Sequence, residues 1–139
     1  MKAYIGIKYH HDGRNRSVIE KISSILESVG YETSCIIRDK EKWGAVTVSP
    51  KELMESAFKE IDSCNIIVVD ISEKGVGLGI ESGYAYAKGI PVFIIAKKGS
   101  HISNTMVGIS KQILIYEQLT DIQTMFKDVD NFGESRSKK

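Results

Sequence analysis

The stretch Asn65-Ile66-Ile67-Val68-Val69-Asp70-Ile71 is apolar apart from Asn65 at its start and Asp70 near its end. A strand of a parallel sheet with helices on both faces carries apolar residues without alternation, and this run has that pattern. It therefore predicts a central strand, with Asp70 near the carboxyl end. Hydrophobic periods of 2 and 3.6 alternate along the rest of the 139-residue chain, which indicates strands alternating with helices.

The predicted architecture is an α/β three-layer sandwich of flavodoxin or Rossmann type. Its sheet has five mainly parallel strands with helices on both faces, and Glu81 and Asp70 are expected at the same sheet edge. Residues 1–130 are predicted to form one domain, and the polar tail 131–139 is expected to be disordered. The predicted strands are 3–7, 33–37, 65–71, 91–96 and 113–116.

Capping residues mark the starts and ends of the predicted helices. Ser49, Pro50 and Glu52 combine a capping box with a proline suited to the first helical position. Between this helix and the second strand, residues 38–48 form a long loop that holds the single tryptophan, and long loops often carry function. The other predicted caps are Ser17 with Glu20 and Thr120 with Gln123. The helix that starts at Thr120 is predicted to carry Val129. Gly30 and Gly89 are predicted to end their helices.

Charge and cysteine content narrow the class of protein. Lys and Arg number 19 against 18 Asp and Glu, so nothing global favours a nucleic acid or a membrane surface as partner. Cys35 and Cys64 lie in apolar runs without the paired spacing of a metal site, which predicts two reduced core thiols. The sequence shows neither a signal peptide nor an 18-residue apolar stretch, which predicts a cytoplasmic protein.

A glycine-rich segment, residues 74–89, follows the central strand and is predicted to form a turn that leads into a short helix. Ligands of open parallel sheets bind beyond the carboxyl ends of the strands, where such turns lie. The G-x-G-x-G spacing matches neither a Walker loop nor the dinucleotide fingerprint. A tight turn without a ligand is the alternative interpretation of these glycines.

Glu81 is the chemically informative residue of this segment. It is predicted to lie in the first turn of the helix, where the helix dipole stabilises an ionised carboxylate by about 0.3 to 1 kcal/mol. Such a carboxylate at the rim of a pocket can act on a glycosidic C1′ as nucleophile or as stabiliser of a cationic sugar. A favourable helix charge without catalytic function is the alternative.

These residues resemble the nucleoside 2-deoxyribosyltransferases and the related 2′-deoxynucleoside 5′-monophosphate N-hydrolases, over residues 4–115. The strongest match is 75–85, which is similar to the glycine loop and following Glu of the hydrolases. The resemblance implies that Glu81 is the catalytic nucleophile and that Tyr4 lies near the reacting sugar. It also implies that residues 102–108 bind the 5′-phosphate, in some members from a neighbouring subunit, and hence that the protein is a homodimer.

Two segments depart from the family pattern. The position of the family's second acid falls on Ala57, with Glu55, Glu60 and Asp62 as nearby acids and Asp70 as a further catalytic candidate at the strand end. In place of a Gly-Ser-x-Arg-Gly turn, residues 6–16 carry basic side chains that either bind an anion or are simply solvated. These basic residues are Lys8, His10, His11, Arg14 and Arg16.

Polar residues after the fourth strand offer cations and hydroxyl donors for a phosphate, although a polar surface loop has the same composition. This segment includes Lys97, Lys98 and Ser100. Tyr9, Trp43 and Tyr84 are candidates to stack on a base, and His101 is expected at the surface. The predicted substrate-binding residues are Lys8, Gly75, Gly77, Gly79, Ser103, Asn104 and Thr105.

The function predicted from these residues is an N-glycosidase that cleaves or transfers the (deoxy)ribosyl group of nucleosides or nucleoside monophosphates. Its mechanism requires no metal and no organic cofactor. A non-catalytic nucleotide-binding module on the same fold is the main alternative, because Ala57 cannot act as an acid. A flavodoxin-like redox or signalling domain is a third, with Asp70 as its phosphoacceptor. The identity of base and sugar, and the choice between hydrolysis and transfer, stay open.

Overall fold

The sheet of the computed structural model, which describes residues 1–127, contains five strands that are all parallel. In chain order they are β1 (Lys2–Ile7), β2 (Glu32–Ser34), β3 (Ile66–Asp70), β4 (Val92–Lys97) and β5 (Gln112–Tyr116). Their order in the sheet is β2-β1-β3-β4-β5. The predicted parallel α/β sheet is therefore confirmed, with the apolar run 65–71 supplying its central strand.

Helices cover both faces of this sheet, as the alternating hydrophobic period predicts. Two short 3₁₀ helices, Lys42–Gly44 and Leu119–Ile122, lie in the connections. No helix within residues 1–127 has the length and apolar character needed to cross a bilayer. The α-helices are α1 (Arg16–Ser28), α2 (Ile36–Asp39), α3 (Pro50–Asp62), α4 (Val76–Ala87), α5 (Asn104–Ile109) and α6 (Gln123–Phe126).

The two faces of β3 belong to two separate apolar clusters, because successive side chains of a strand point to opposite sides of the sheet. Ile66 and Val68 pack in the cluster that contains the buried residues of α1 and α6. Ile67 and Val69 pack in the other cluster, with α3 and α4. On β1, Tyr4 belongs to this second cluster. The α3/α4 face of the sheet is therefore the face toward which Tyr4 points.

Several predicted helix ends are confirmed by their geometry. The Ser49 hydroxyl accepts a hydrogen bond from the Glu52 N–H at 3.2 Å, so Ser49 caps α3. Gly30 has a φ of +98° after α1, and Gly89 has a φ of +75° after α4. The left-handed region is open to glycine because it lacks a Cβ atom, and both residues end their helices there.

Other boundaries differ from the prediction. The β2 strand ends at Ser34 rather than residue 37, because Ile36 and Ile37 enter α2. Helix α1 begins at Arg16, so Ser17 lies inside it and does not cap it; Asn15 occupies the cap position in left-handed conformation. Near the end of the described chain, Gln118 and Asp121 form the capping box that was predicted for Thr120 and Gln123. Val129 and the predicted tail 131–139 lie outside the described residues.

Candidate active site

Glu81 lies in the second turn of α4, not in the first turn as the sequence predicts. Gly75 occupies the N-cap position with an extended backbone, and the helix begins at Val76. Gly77 and Gly79 are therefore helical residues rather than parts of a turn. The helix dipole acts mainly on the first turn, so it has little effect on the pKa of the Glu81 carboxyl. Burial has the larger effect: it disfavours the ionised form and raises this pKa to about 7.

Tyr4 holds this carboxyl group in place. Its hydroxyl donates a hydrogen bond of 2.8 Å to Glu81 Oε1, from β1 to α4. Burial, together with the neighbouring Glu81, raises the pKa of the Tyr4 phenol, so the phenol keeps its proton and remains a donor. The same hydrogen bond lowers the pKa of Glu81 and partly offsets the effect of burial. Tyr4 thus fixes one carboxylate oxygen and favours its ionised form.

Gly6 lies against the other oxygen of the same carboxylate. A Cβ atom at position 6 would be 3.3 Å from Glu81 Oε2, 3.5 Å from Leu78 Cδ2 and 3.6 Å from Val69 Cγ2. The absence of a side chain at Gly6 therefore lets the carboxylate approach the backbone of β1.

We expect Gly6→Ala to shift the Glu81 carboxylate by a few tenths of an ångström from its position at the Tyr4 hydroxyl, since a Cβ 3.3 Å from Oε2 would be tighter than most such contacts. The fold should lose about 1 kcal/mol of stability. The rate of base release of Gly6→Ala should fall as well. Gly108→Ala is the matched control, because its added Cβ would meet nothing within 4 Å in α5. Thermal unfolding and base release of both variants test this, and a Gly6→Ala protein with the wild-type rate and melting temperature would contradict it.

A cavity of about 200 Å³ opens at Glu81 and is called the carboxylate cavity here. Its polar lining includes Tyr4, Lys8, Glu41 and Glu81, from β1, the segment after α2, and α4. Ala57 of α3 lines it as well, so the predicted position of the second acid faces the site without an acid. Its apolar walls include Ile7, Ile36, Leu53, Met54 and Leu78.

A second cavity of about 470 Å³ adjoins the first and is called the hydroxyl cavity here. Its polar lining comprises Lys8, Lys74, His101, Ser103 and Thr105. The Ser103 and Thr105 hydroxyls are 2.7 Å apart. Both cavities share Lys8, Gly75 and Leu78 as lining residues. The two form one site, with a largely apolar part at Glu81 and a part rich in cations and hydroxyls beside it.

Most of the predicted binding residues lie in this site. Gly77 lines the carboxylate cavity and Gly79 the hydroxyl cavity, and the space beside each is open to at least 4 Å. Their missing side chains therefore leave room for a ligand along α4. Asn104 is the exception: it is exposed and lies outside the lining of both cavities. Residues 104–109 form α5 instead of the expected polar loop.

Asp70 does not share the site with Glu81, although both lie toward the carboxyl ends of the strands. Its side chain follows Ile66 and Val68 on the α1/α6 face of the sheet, opposite Tyr4. The Tyr116 hydroxyl donates to it at 2.7 Å, and the Ser72 N–H donates at 2.8 Å. The geometry therefore does not support the catalytic role predicted for Asp70. Its hydrogen bond with Tyr116 links β3 to β5 instead.

The other predicted acids and bases are largely engaged elsewhere. Of the basic residues in 6–16, Lys8 lines both cavities, whereas His10 pairs with Glu73, Arg14 with Asp12, and Arg16 with Glu20. Glu60 accepts from Lys2 and Ser34, and Asp62 accepts from Tyr84. Lys98 pairs with Glu117. None of these paired residues lines either cavity.

The aromatic candidates pack within the protein. Tyr9 and Trp43 contact each other with ring centres 5.7 Å apart, and Tyr84 stacks on Phe58 at 4.3 Å. Sequence reasoning missed two charged lining residues, Glu41 and Lys74. His101 is exposed, as predicted, but it also lines the hydroxyl cavity. Lys74 is the first residue of the glycine-rich segment 74–89, which was a usable signal. Glu41 lies in the segment expected to be a loop, where no periodicity indicates which side chains face a pocket.

Comparison with known proteins supports the same class. No protein-family model matches the chain. A curated protein of Thermofilum pendens named "Putative 2'-deoxynucleoside 5'-phosphate N-hydrolase 1" is 22% identical over 138 residues, covering 94% of each chain. A 2-deoxyribosyltransferase of Bacillus psychrosaccharolyticus shares the fold at a TM-score of 0.70 and 14% identity, over 88% of this chain and 90% of that one. A CMP N-glycosidase of Clostridium botulinum shares the fold at a TM-score of 0.64 and 17% identity, over 95% of this chain and 99% of that one.

The resemblance to the nucleoside 2-deoxyribosyltransferases and related N-hydrolases is thereby confirmed along nearly the whole chain. The two solved structures share its five-stranded α/β fold.

Proposed function

We propose that this enzyme cleaves the N-glycosidic bond of nucleosides or nucleoside 5′-monophosphates, with Glu81 as the nucleophile. The observation that carries the proposal is the half-buried Glu81, whose carboxyl is held at 2.8 Å by the Tyr4 hydroxyl at the wall of a cavity. A carboxylate that is oriented and partly shielded from water is suited to attack C1′ of a sugar. The names of the curated relative and of the two solved structures support the same chemistry.

The two cavities divide the substrate between them. The apolar walls of the carboxylate cavity suit the base and the sugar, which brings C1′ to Glu81. The hydroxyl cavity suits a 5′-phosphate, because Lys8 and Lys74 supply positive charge and Ser103 and Thr105 supply hydroxyl donors. Lys8 lines both cavities and lies where sugar and phosphate would meet. This arrangement favours nucleoside monophosphates over free nucleosides.

The proposal is tested by incubating the protein with ribo- and deoxyribonucleosides and their 5′-monophosphates and measuring free base by chromatography. Release of base at a rate that scales with enzyme concentration supports the glycosidase. The main alternative, a nucleotide-binding module, is favoured by one observation, the lack of an acid at Ala57 in the cavity lining. Saturable binding of a monophosphate without base release would establish the module instead.

We further propose that the protein acts as a homodimer through the exposed side of α4 and α5. Large apolar side chains are unusually exposed there: Val76 is 83% exposed, Ile80 47%, Tyr86 59% and Val107 44%. Large apolar side chains exposed on neighbouring helices are typical of protein interfaces. The same helices border the hydroxyl cavity, so a partner subunit seated on them would lie beside the proposed phosphate subsite.

Light scattering is expected to give the mass of two chains for the wild type and of one chain for Ile80→Glu, because a buried unpaired carboxylate in an apolar interface is strongly unfavourable. Val46→Glu is the matched control, since Val46 is equally exposed (46%) but lies in the segment between α2 and α3. A monomeric wild type, or a dimer that Ile80→Glu leaves intact, would refute this interface.

A further inference from the structure

The proposed cleavage needs a proton donor for the departing base, and Ala57 cannot supply one. Within residues 1–127, the carboxyl side chains that line the carboxylate cavity are Glu41 and Glu81. Glu81 is committed to C1′ in the proposed function. We propose that Glu41 is the acid that protonates the departing base and the base that later activates water. This inference rests on the proposed function and assigns its second catalytic residue.

Other groups at the cavity are less suited to this step. The Tyr4 hydroxyl already donates to Glu81, and its pKa is raised, so it gives up a proton reluctantly. Burial raises the pKa of the Cys35 thiol to about 11, which makes it a poor acid as well. Lys8 supplies charge at the junction of the two cavities. Glu55, the remaining acid considered on α3, is exposed and does not line the cavity.

The backbone of Glu41 is anchored at three points. Its N–H donates to the Ile36 carbonyl at 3.0 Å, and Ile36 itself lines the carboxylate cavity. Its carbonyl accepts from the N–H groups of Gly44 and Val46, each at 3.0 Å. A residue in an otherwise irregular connection is therefore held in a defined position at the cavity.

The two residues after Glu41 are in a conformation that costs free energy. Lys42 has a φ of 49° and Trp43 a φ of 61°, in the left-handed region that side chains rarely adopt. Such a conformation persists only where the surroundings enforce it, and it clusters at functional sites. Here the Arg16 guanidinium lies 4.5 Å from the centre of the Trp43 ring, and the Tyr9 hydroxyl donates to the Trp43 carbonyl at 3.4 Å. The turn that positions Glu41 is thus clamped from α1 and the β1 loop.

The reaction has two steps. In the first, Glu81 bonds to C1′ and the C1′–N bond breaks. The electron pair of the C1′–N bond stays on the base nitrogen, and the proton of the Glu41 carboxyl moves to the base. In the second, a water oxygen bonds to C1′, the Glu41 carboxylate takes the proton of that water, and Glu81 leaves with the electron pair of its ester bond. Both residues return to their starting states.

The test compares kcat and KM of the wild type, Glu41→Gln, Glu41→Ala and the exposed control Glu55→Gln on two substrates. One is the nucleoside monophosphate that the wild type cleaves fastest, and the other is the 4-nitrophenyl glycoside of the same sugar phosphate. The charged groups that share the cavity with Glu41 are Lys8 and Glu81, and all four proteins keep both. We expect the control to match the wild type on both substrates. We expect Glu41→Gln to lower kcat on the nucleoside monophosphate by about 10² to 10⁴-fold, the usual contribution of general acid–base catalysis, with KM little changed.

In the first turnover on the 4-nitrophenyl glycoside, Glu41→Gln should release 4-nitrophenolate at a rate close to that of the wild type, because this leaving group departs without a proton. Sodium formate should restore part of the rate of the second step in Glu41→Ala, because the formate ion can enter the vacated space and take the proton of the attacking water. A loss of rate for Glu41→Gln that is equal on both substrates, or a rise in KM with unchanged kcat, would overturn the assignment. A wild type that releases no base from any nucleotide would refute the proposed function itself. Circular dichroism of each variant confirms that it is folded.

Discussion

Glu81→Gln is expected to lower the rate of base release by about 10³-fold or more, because loss of a covalent nucleophile removes the reaction path itself. The amide keeps the shape of the side chain and still offers an oxygen to the Tyr4 hydroxyl, so substrate binding should persist. Single-turnover base release and equilibrium binding of the same nucleotide separate the two effects. Glu55→Gln is the control, since it neutralises an exposed carboxylate outside the site.

The same variant should be more stable than the wild type at neutral and higher pH. The folded-state pKa of Glu81 is raised from 4.5 to about 7, so the folded protein holds this proton more tightly than the unfolded chain does. The resulting stability is complete below pH 4.5 and is lost as the pH rises through about 7. Above that pH the wild type carries a destabilisation on the order of 3 kcal/mol that the neutral amide avoids.

Urea unfolding at pH 4 and pH 8 measures this difference. The gain in the free energy of unfolding for Glu81→Gln should be small at pH 4 and large at pH 8, while Glu55→Gln should show little at either pH. Near-normal turnover of Glu81→Gln would contradict the nucleophile assignment. An equal stability of wild type and variant at pH 8 would instead contradict the effect of burial on this carboxyl.

The fold was predictable from the sequence because its signals are local and repeated. The unbroken apolar residues 66–69 predict a strand covered on both faces, and β3 is buried throughout. The Ser49 and Gly30 signals depend on backbone geometry within one turn, which neighbouring residues determine. Glu81 lies in the helix that follows β3, so a parallel sheet places it toward the carboxyl ends of the strands.

The site was less predictable because it depends on orientation across elements. Asp70 and Tyr4 are both strand residues, but strand alternation and register place them on opposite faces of the sheet. Gly77 and Gly79 suggest a turn, since each glycine costs a helix about 1 kcal/mol, yet α4 runs through both and buries Leu78 between them. Glu41 lines the cavity next to a left-handed turn at Lys42 and Trp43, a conformation that these residue types disfavour and that the sequence therefore does not predict.

Removal of the 5′-phosphate from the substrate is expected to lower kcat/KM about 10 to 10²-fold or more, because each charge-assisted hydrogen bond contributes about 1.5 to 3 kcal/mol. The hydroxyl cavity offers several such donors in Ser103, Thr105 and the ammonium groups of Lys8 and Lys74. The ratio of kcat/KM for a monophosphate and its nucleoside measures the effect.

The variants Ser103→Ala and Thr105→Ala locate that effect in the structure. If these hydroxyls bind the phosphate, each substitution lowers kcat/KM for the monophosphate and leaves the rate on the nucleoside nearly unchanged, so the ratio shrinks. The two hydroxyls are 2.7 Å apart, so their substitutions should be non-additive. Ser110→Ala is the matched control at the other end of α5, where the hydroxyl donates to the Val107 carbonyl outside the cavity. Equal rates on nucleoside and monophosphate would show that the hydroxyl cavity does not select a phosphate and would place the activity with the nucleoside transferases.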